Sequence, residues 1–400
     1  MRINKLTPII ASLVVLAVIT AILVRYRSVE AQQDRAAGTP ISAKVALQQT
    51  EGDGFNLSPA AETKSETNAD LTLDADEVER RARAEQTTTA AVASPIPISF
   101  KEVVLPVQGG IDYAVAGVAT RNSGEGVIRL RGVPPGSQFL GALLVWGEIS
   151  AGGLAAYNVG FGQDCAVLAN VVGSPASFPT NPAPQPCWNP AGQFWAYLAP
   201  VPPAQIAPGI NGDYRIKGLR TAIRNGRCPW GDGACPGPGN ALPLSEGASL
   251  IVFYANQCIA RNARIFLNLG PQTFFGLNTN NHITGPIPGL TTLKHSRIGA
   301  DGQVGVSNCG LRSIPQISDE RTFIGSIPGF GNCRIQIKGD VGGLNRDSDW
   351  NGYDGEPLNK LWDTHTDVFS NCLAGQLGYQ VQYQAQGDCI VWVVHILGVK

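Results

Sequence analysis

Between residues 347 and 356 the chain sets oxygen-bearing side chains at alternate positions: Asp347, Asp349 and Asn351, then Gly352, Tyr353, Asp354 and Glu356. Such spacing lets a short loop wrap a hard cation, with a glycine for the sharp turn and a backbone carbonyl, here that of Tyr353, as a further oxygen. The order D-x-D-x-N-G is the first half of an EF-hand loop. The second half departs from it: Leu358 stands where the bidentate glutamate belongs, and Glu356 comes two residues early. The spacing predicts an EF-like calcium loop inside a β protein, closed by Asp354 or Glu356 and structural rather than catalytic. The alternative is a polar turn whose Asp and Asn side chains cap their own backbone.

Just downstream, Asp363, His365 and Asp367 alternate with Trp362, Thr364 and Thr366. On a strand the first three share one face and the others the opposite face. Three such ligands on one face suit a transition metal; the competing reading is a histidine hydrogen-bonded between two carboxylates. No G-x-S-x-G elbow, H-E-x-x-H, P-loop or G-x-G-x-x-G opening a helix occurs. Of the four histidines, His282, His295, His365 and His395, none sits beside a nucleophile motif. His395, inside an apolar run, reads as a core or edge residue. Two readings stay open: a carboxylate pair for glycoside hydrolysis, assembled only in space, and a sugar-stacking platform drawn from seven tryptophans and nine tyrosines.

The nine cysteines, Cys165, Cys187, Cys228, Cys235, Cys258, Cys309, Cys333, Cys372 and Cys389, form no C-x-x-C and no zinc-finger spacing. Joined to an export signal they read as disulfides of an oxidising compartment. Pairing of neighbours (165–187, 228–235, 309–333, 372–389) leaves Cys258 over, although sequence cannot fix connectivity. The net charge of −1 gathers into no basic stripe, which argues against a nucleic-acid partner.

The elements that must position these residues are short. After residue 98 the chain is rich in Gly and Pro, poor in charge and almost without helical periodicity, which points to an all-β fold. Residues 127–132 alternate as in a half-buried strand, whereas 140–149 and 249–254 are continuous apolar runs and read as buried strands. Further strands are expected at 155–161, 194–198, 263–269, 334–338, 379–383 and 389–397. Pro/Gly-rich stretches at 173–192, 201–212, 228–243 and 284–290 read as loops pinned by disulfides. The expected architecture is a single large β-sandwich or jelly-roll-like domain over residues 98–400.

Residues 1–31 read as a signal peptide or an uncleaved N-terminal membrane anchor: Arg2 and Lys5 precede an apolar run from Ile9 to Val24, followed by Arg25 and Arg27. As a helix the run spans about 24 Å at 1.5 Å per residue, against a hydrocarbon core of about 30 Å. Residues 32–97, dominated by Ala, Thr, Ser, Gln, Asp and Glu, read as a disordered linker.

Three stretches carry a resemblance: Ala142-Leu143-Leu144-Val145-Trp146-Gly147, then Glu246-Gly247-Ala248-Ser249-Leu250-Ile251-Val252-Phe253-Tyr254, then a block from Asp349 to Thr366 that includes Trp362-Asp363-Thr364-His365. The first two resemble the "LYWGG" and "DGASLVVVY" strands of exported bacterial and archaeal surface proteins with adhesin-like β-sandwich modules. The third is similar to a C-terminal block of secreted proteins ending in a Gly-Asp-Cys-(Ile/Leu)-Val-Trp-Val strand, here Gly387 to Val393. The resemblance implies location and fold, and supplies no catalytic residues.

These readings converge on an exported cell-surface or secreted module, outside the cytoplasmic membrane, anchored or secreted, whose work is binding or structural. Its expected partner is an extracellular protein or carbohydrate, with calcium as the one expected cofactor and membrane contact only through the N-terminal segment. The alternatives are a secreted hydrolase on a jelly-roll scaffold and a subunit of an extracellular assembly.

Overall fold

The computed structural model describes residues 101–107, 110–163, 167–175, 182–184, 192–206, 209–225, 242–274, 277–283, 292–300, 321–326, 333–337, 362–369, 378–384 and 390–400. All of these fall in one compact unit of the chain. The expected signal or anchor, the linker and the 347–356 loop lie outside the described residues.

The strands, in chain order, are β1 (Lys101–Glu102), β2 (Ile111–Ala119), β3 (Glu125–Leu130), β4 (Gln138–Ser150), β5 (Tyr157–Gln163) and β6 (Ala169–Pro175). There follow β7 (Ala183–Pro184), β8 (Gln193–Pro200), β9 (Gly212–Lys217), β10 (Leu244–Ala255), β11 (Arg264–Phe274) and β12 (Leu277–Ile283). The last are β13 (Leu293–Ala300), β14 (Arg321–Ser326), β15 (Arg334–Gln336), β16 (Trp362–Phe369), β17 (Gly378–Gln384) and β18 (Ile390–Val399). No α-helix occurs among the described residues, and none of their helices is long and apolar enough to cross a membrane. The all-β expectation holds.

Three antiparallel sheets form. A nine-stranded sheet follows the order β2-β10-β4-β8-β6-β5-β9-β3, with β7 beside β8; a five-stranded sheet runs β1-β11-β18-β13-β16, and a four-stranded sheet β12-β17-β14-β15. The nine-stranded sheet curls until its end strands β2 and β3 lie against each other. It encloses a core that includes Leu130, Leu144, Trp146, Tyr197, Ile216 and Leu250. A second core, with Val145, Ile251, Ile298, Trp362, Val391 and Ile396, joins this sheet to the five-stranded one. A third, with Phe266, Ile324, Val381, Tyr383, Trp392 and Leu397, joins the five-stranded sheet to the four-stranded one.

This stacking explains the uninterrupted apolar runs. β10 sends Ile251 and Phe253 into one core and Leu250 and Val252 into another; β18 does the same with Val391 and Ile396 against Trp392 and Leu397. A strand buried on both faces has no solvent side to carry polar residues, so alternation disappears. Strands with one polar face read differently. β13 (Leu-Lys-His-Ser-Arg-Ile-Gly-Ala) resembled no buried strand in sequence, yet every residue from His295 to Ala300 is buried.

The three sequence stretches singled out above meet in space. The Trp362 indole lies where a Cβ added to Gly247 or Gly147 would overlap it, and its Nε1 donates to Ser249 Oγ at 2.9 Å. Ser249 Oγ also lies 2.7 Å from Thr364 Oγ1. Two glycines on neighbouring strands, paired directly with each other, thus open the slot that seats β16 on the nine-stranded sheet. On the same face Ser296 Oγ donates to the Tyr113 hydroxyl at 3.0 Å, joining β13 to β2.

Cys333 is disulfide-bonded and Cys258 carries a free, exposed thiol. The other seven cysteines, and so at least one member of every expected pairing, lie outside the described residues.

Candidate functional site

The face of the five-stranded sheet turned toward the four-stranded one is polar at its centre. Asn268, His395, Arg297 and His365 stand directly opposite one another across β11, β18, β13 and β16. Directly opposed residues share a face of the sheet, so this is one polar row. The next row is Phe266, Leu397, His295 and Asp367; the row on its other side is Gln272, Trp392, Gly299 and Asp363. His295, His395 and Asp363 are completely buried, and Asn268, Gln272, Arg297 and His365 nearly so. Asp367 lies at the rim, with 29% of its side chain exposed.

Strict alternation would put Trp392 and His395 on opposite faces. The ladder instead shifts: Ile298 pairs with Val394 and Gly299 with Trp392, leaving Val393 as the extra residue of a bulge. The same irregularity appears against β11, between Leu269 and Gln272. A bulge reverses the parity of everything beyond it. Trp392 and His395 therefore share the inner face, with ring centroids 4.4 Å apart and edge to face.

His395 and His295 stack with their planes 6° apart, and His395 Nδ1 lies 3.1 Å from His295 Nε2. From the four-stranded sheet the Tyr383 hydroxyl comes within 2.5 Å of His395 Nε2. A neutral imidazole has one donor and one acceptor, so the two nitrogens of His395 take opposite roles toward Tyr383 and His295. Burial, followed by the Arg297 charge, holds His395 neutral, with its pKa lowered to about 3. His295 is pushed well down by burial, then by His395 and Arg297. Arg297 Nη1 donates to Asp367 Oδ2 at 2.5 Å, and His365 Nε2 lies 3.4 Å from Asp363 Oδ1. His295 Nδ1, Asn268 Nδ2, Gln272 Oε1 and Trp392 Nε1 are buried with no hydrogen-bond partner among the described residues.

β16 places Asp363, His365 and Asp367 on one face, as the alternation requires. Within this set His365 lies against Asp363, while Asp367 turns to Arg297. Asp367 is paired with Arg297, whose position on β13 is directly across from His365. Among the described residues no three His, Cys, Asp or Glu side chains converge on a metal position. Asp347, Asp349, Asn351, Tyr353, Asp354 and Glu356 lie outside the described residues. Sequence reasoning missed His295, Arg297, Tyr383, Asn268 and Gln272; the signal was the i, i+2 pair His295 and Arg297, legible only once β13 is known to be a strand.

Elsewhere an open depression of about 520 Å3 is lined by Val133, Pro134, Phe139, Pro203, Ile206 and Ile210 among others.

No family model matches the chain, and no curated protein does. Among solved structures, one chain from "Life in the extremes: atomic structure of Sulfolobus Turreted Icosahedral Virus" aligns over 72% of this chain and 91% of its own at 11% identity, with a TM-score of 0.20. A score that low carries no argument about fold or function.

Proposed function

We propose that the protein is an exported cell-surface or secreted β module that works by binding or as a structural unit, its N-terminal segment serving as a signal peptide or a membrane anchor. The observation that carries this reading is how the buried charges are committed. Arg121 pairs with Glu246, Arg220 with Glu148, Arg297 with Asp367, and both Lys294 and Lys400 with Asp112. These pairs join strands and loops to one another, which is the use a scaffold makes of ionisable groups. A hydrolase needs carboxylates facing a substrate, whereas Glu148, Glu246 and Asp367 face arginines. The partner is an extracellular protein or carbohydrate. Disulfides pin the long loops of its sandwich-like body, and the 347–356 loop holds one calcium ion for stability.

Two experiments test this. Residues 1–97 fused ahead of a reporter that folds only outside the cytosol should give an active reporter; an inactive reporter retained in the cytosol overturns the export reading. The full chain should bind a component of a glycan or surface-protein array without turning over any glycoside or ester substrate. Turnover abolished by Asp363→Asn or Asp367→Asn would establish the hydrolase instead.

Calcium is tested by thermal melts of the full chain. A midpoint several degrees higher in calcium than in chelator is expected, with Asp349→Ala removing that difference. Equal loss in both buffers would leave the loop an ordinary polar turn.

A further inference from the structure

We infer that the stacked pair His295–His395 is a proton-sensitive latch, which holds the four-stranded layer on the five-stranded sheet at neutral pH and releases it in mild acid. The inference is independent of the proposed function.

The geometry carries it. Both imidazoles are fully buried, and among the described residues the outer layer covers them, its Tyr383 hydroxyl reaching His395. Water can solvate an imidazolium here only after that layer lifts. Protonating either ring would also set a positive charge beside its partner's nitrogen at 3.1 Å and beside Arg297. Among the described residues two carboxylates lie near. Asp367 already neutralises Arg297, and Asp363 sits by His365 at the far end of its row, so neither is placed to offset a new charge on the pair. The facing strand β17 brings only Tyr379 and Tyr383 as titratable groups, and β11 brings the uncharged Asn268 and Gln272. On the remaining strands of the outer layer, His282 of β12 pairs across from Tyr379, Arg321 of β14 from Gln384, and Arg334 of β15 bonds outward to Gln382.

The direction follows from linkage. Both histidines titrate lower in the folded protein than in an open or unfolded chain, where an exposed histidine sits near 6.5. Their contribution is therefore fully present above about pH 6.5 and is lost as pH falls toward the folded value, about 3 for His395. An opening that exposes both rings takes up as many as two protons, so its equilibrium constant rises by up to about 100-fold per pH unit within that window.

The test is hydrogen exchange of the full chain between pH 7 and 4, corrected for the intrinsic rate. Amides of β14 and β17 should open with a proton order approaching two, while those of β10 stay protected. His395→Gln, which keeps a hydrogen-bonding group without a titrating ring, should bring the order down to about one. Should that variant fail to fold, NMR of the imidazoles in the unaltered protein decides the matter: both rings must stay neutral at pH 5 in the closed state. A proton order near zero, identical acid opening of β10 and β17, or an imidazolium in the closed state at pH 5 would each overturn the latch.

Discussion

Among the described residues the buried charges are paired with one another. Glu246 is the extra residue of an irregularity between β10 and β4, almost fully buried, with Arg121 as its counter-ion. Arg121→Ala strands that carboxylate and should cost about 3–5 kcal/mol, read from the urea midpoint. Replacing both, Arg121→Leu with Glu246→Leu, should restore most of the loss, because no charge is then left buried. Burial raises Glu246 and Glu148 above the usual carboxylate range. The contribution of these groups is therefore present below that range and diminishes as pH rises, opposite in sign to that of the histidines. Acid sensitivity of the outer layer consequently points to His295 and His395 and not to these glutamates. In the sequence, Asp363, His365 and Asp367 were visible as a set because strand alternation relates neighbours along one chain. Arg297, which pairs with Asp367, and His395 beside it come from other strands, and no local spacing announces them.

At the level of elements, the seat of Trp362 shows how strands are held in register between sheets. Trp362→Ala removes a fully buried indole and should cost about 3–5 kcal/mol. Gly247→Ala forces a methyl group into the same ring and should cost about 1–3 kcal/mol. Because the two act on one contact, Gly247→Ala combined with Trp362→Phe should cost less than the sum of the single changes; strict additivity in denaturant melts would refute the slot. The β strands most legible in sequence were those buried on both faces, β4, β10 and β18, since long apolar runs bounded by turns admit few other readings. β2 and β13 were not. β2 dilutes its pattern with Ala and Gly where other layers approach closely, and Gly117 meets Thr364 of β16 there. β13 carries Lys, His, Ser and Arg, which look like surface residues until the layer above them is known. The bulge at Val393 was likewise hidden, because a one-residue change of register leaves no mark in composition.

At the scale of the whole molecule, the stack is assembled from distant parts of the chain. β1 pairs with β11, β2 with β10, and β18 with both β11 and β13. Sheets closed by such long-range pairings fold slowly, since loop closure precedes the contacts that reward it. A chain ending at residue 389 lacks the strand that carries one wall of two cores; it should yield no cooperative thermal transition and precipitate on expression. The same arrangement gives an order to synthesis. Residues 390–399 are made after all the other strands, and until they arrive the five-stranded sheet has no centre.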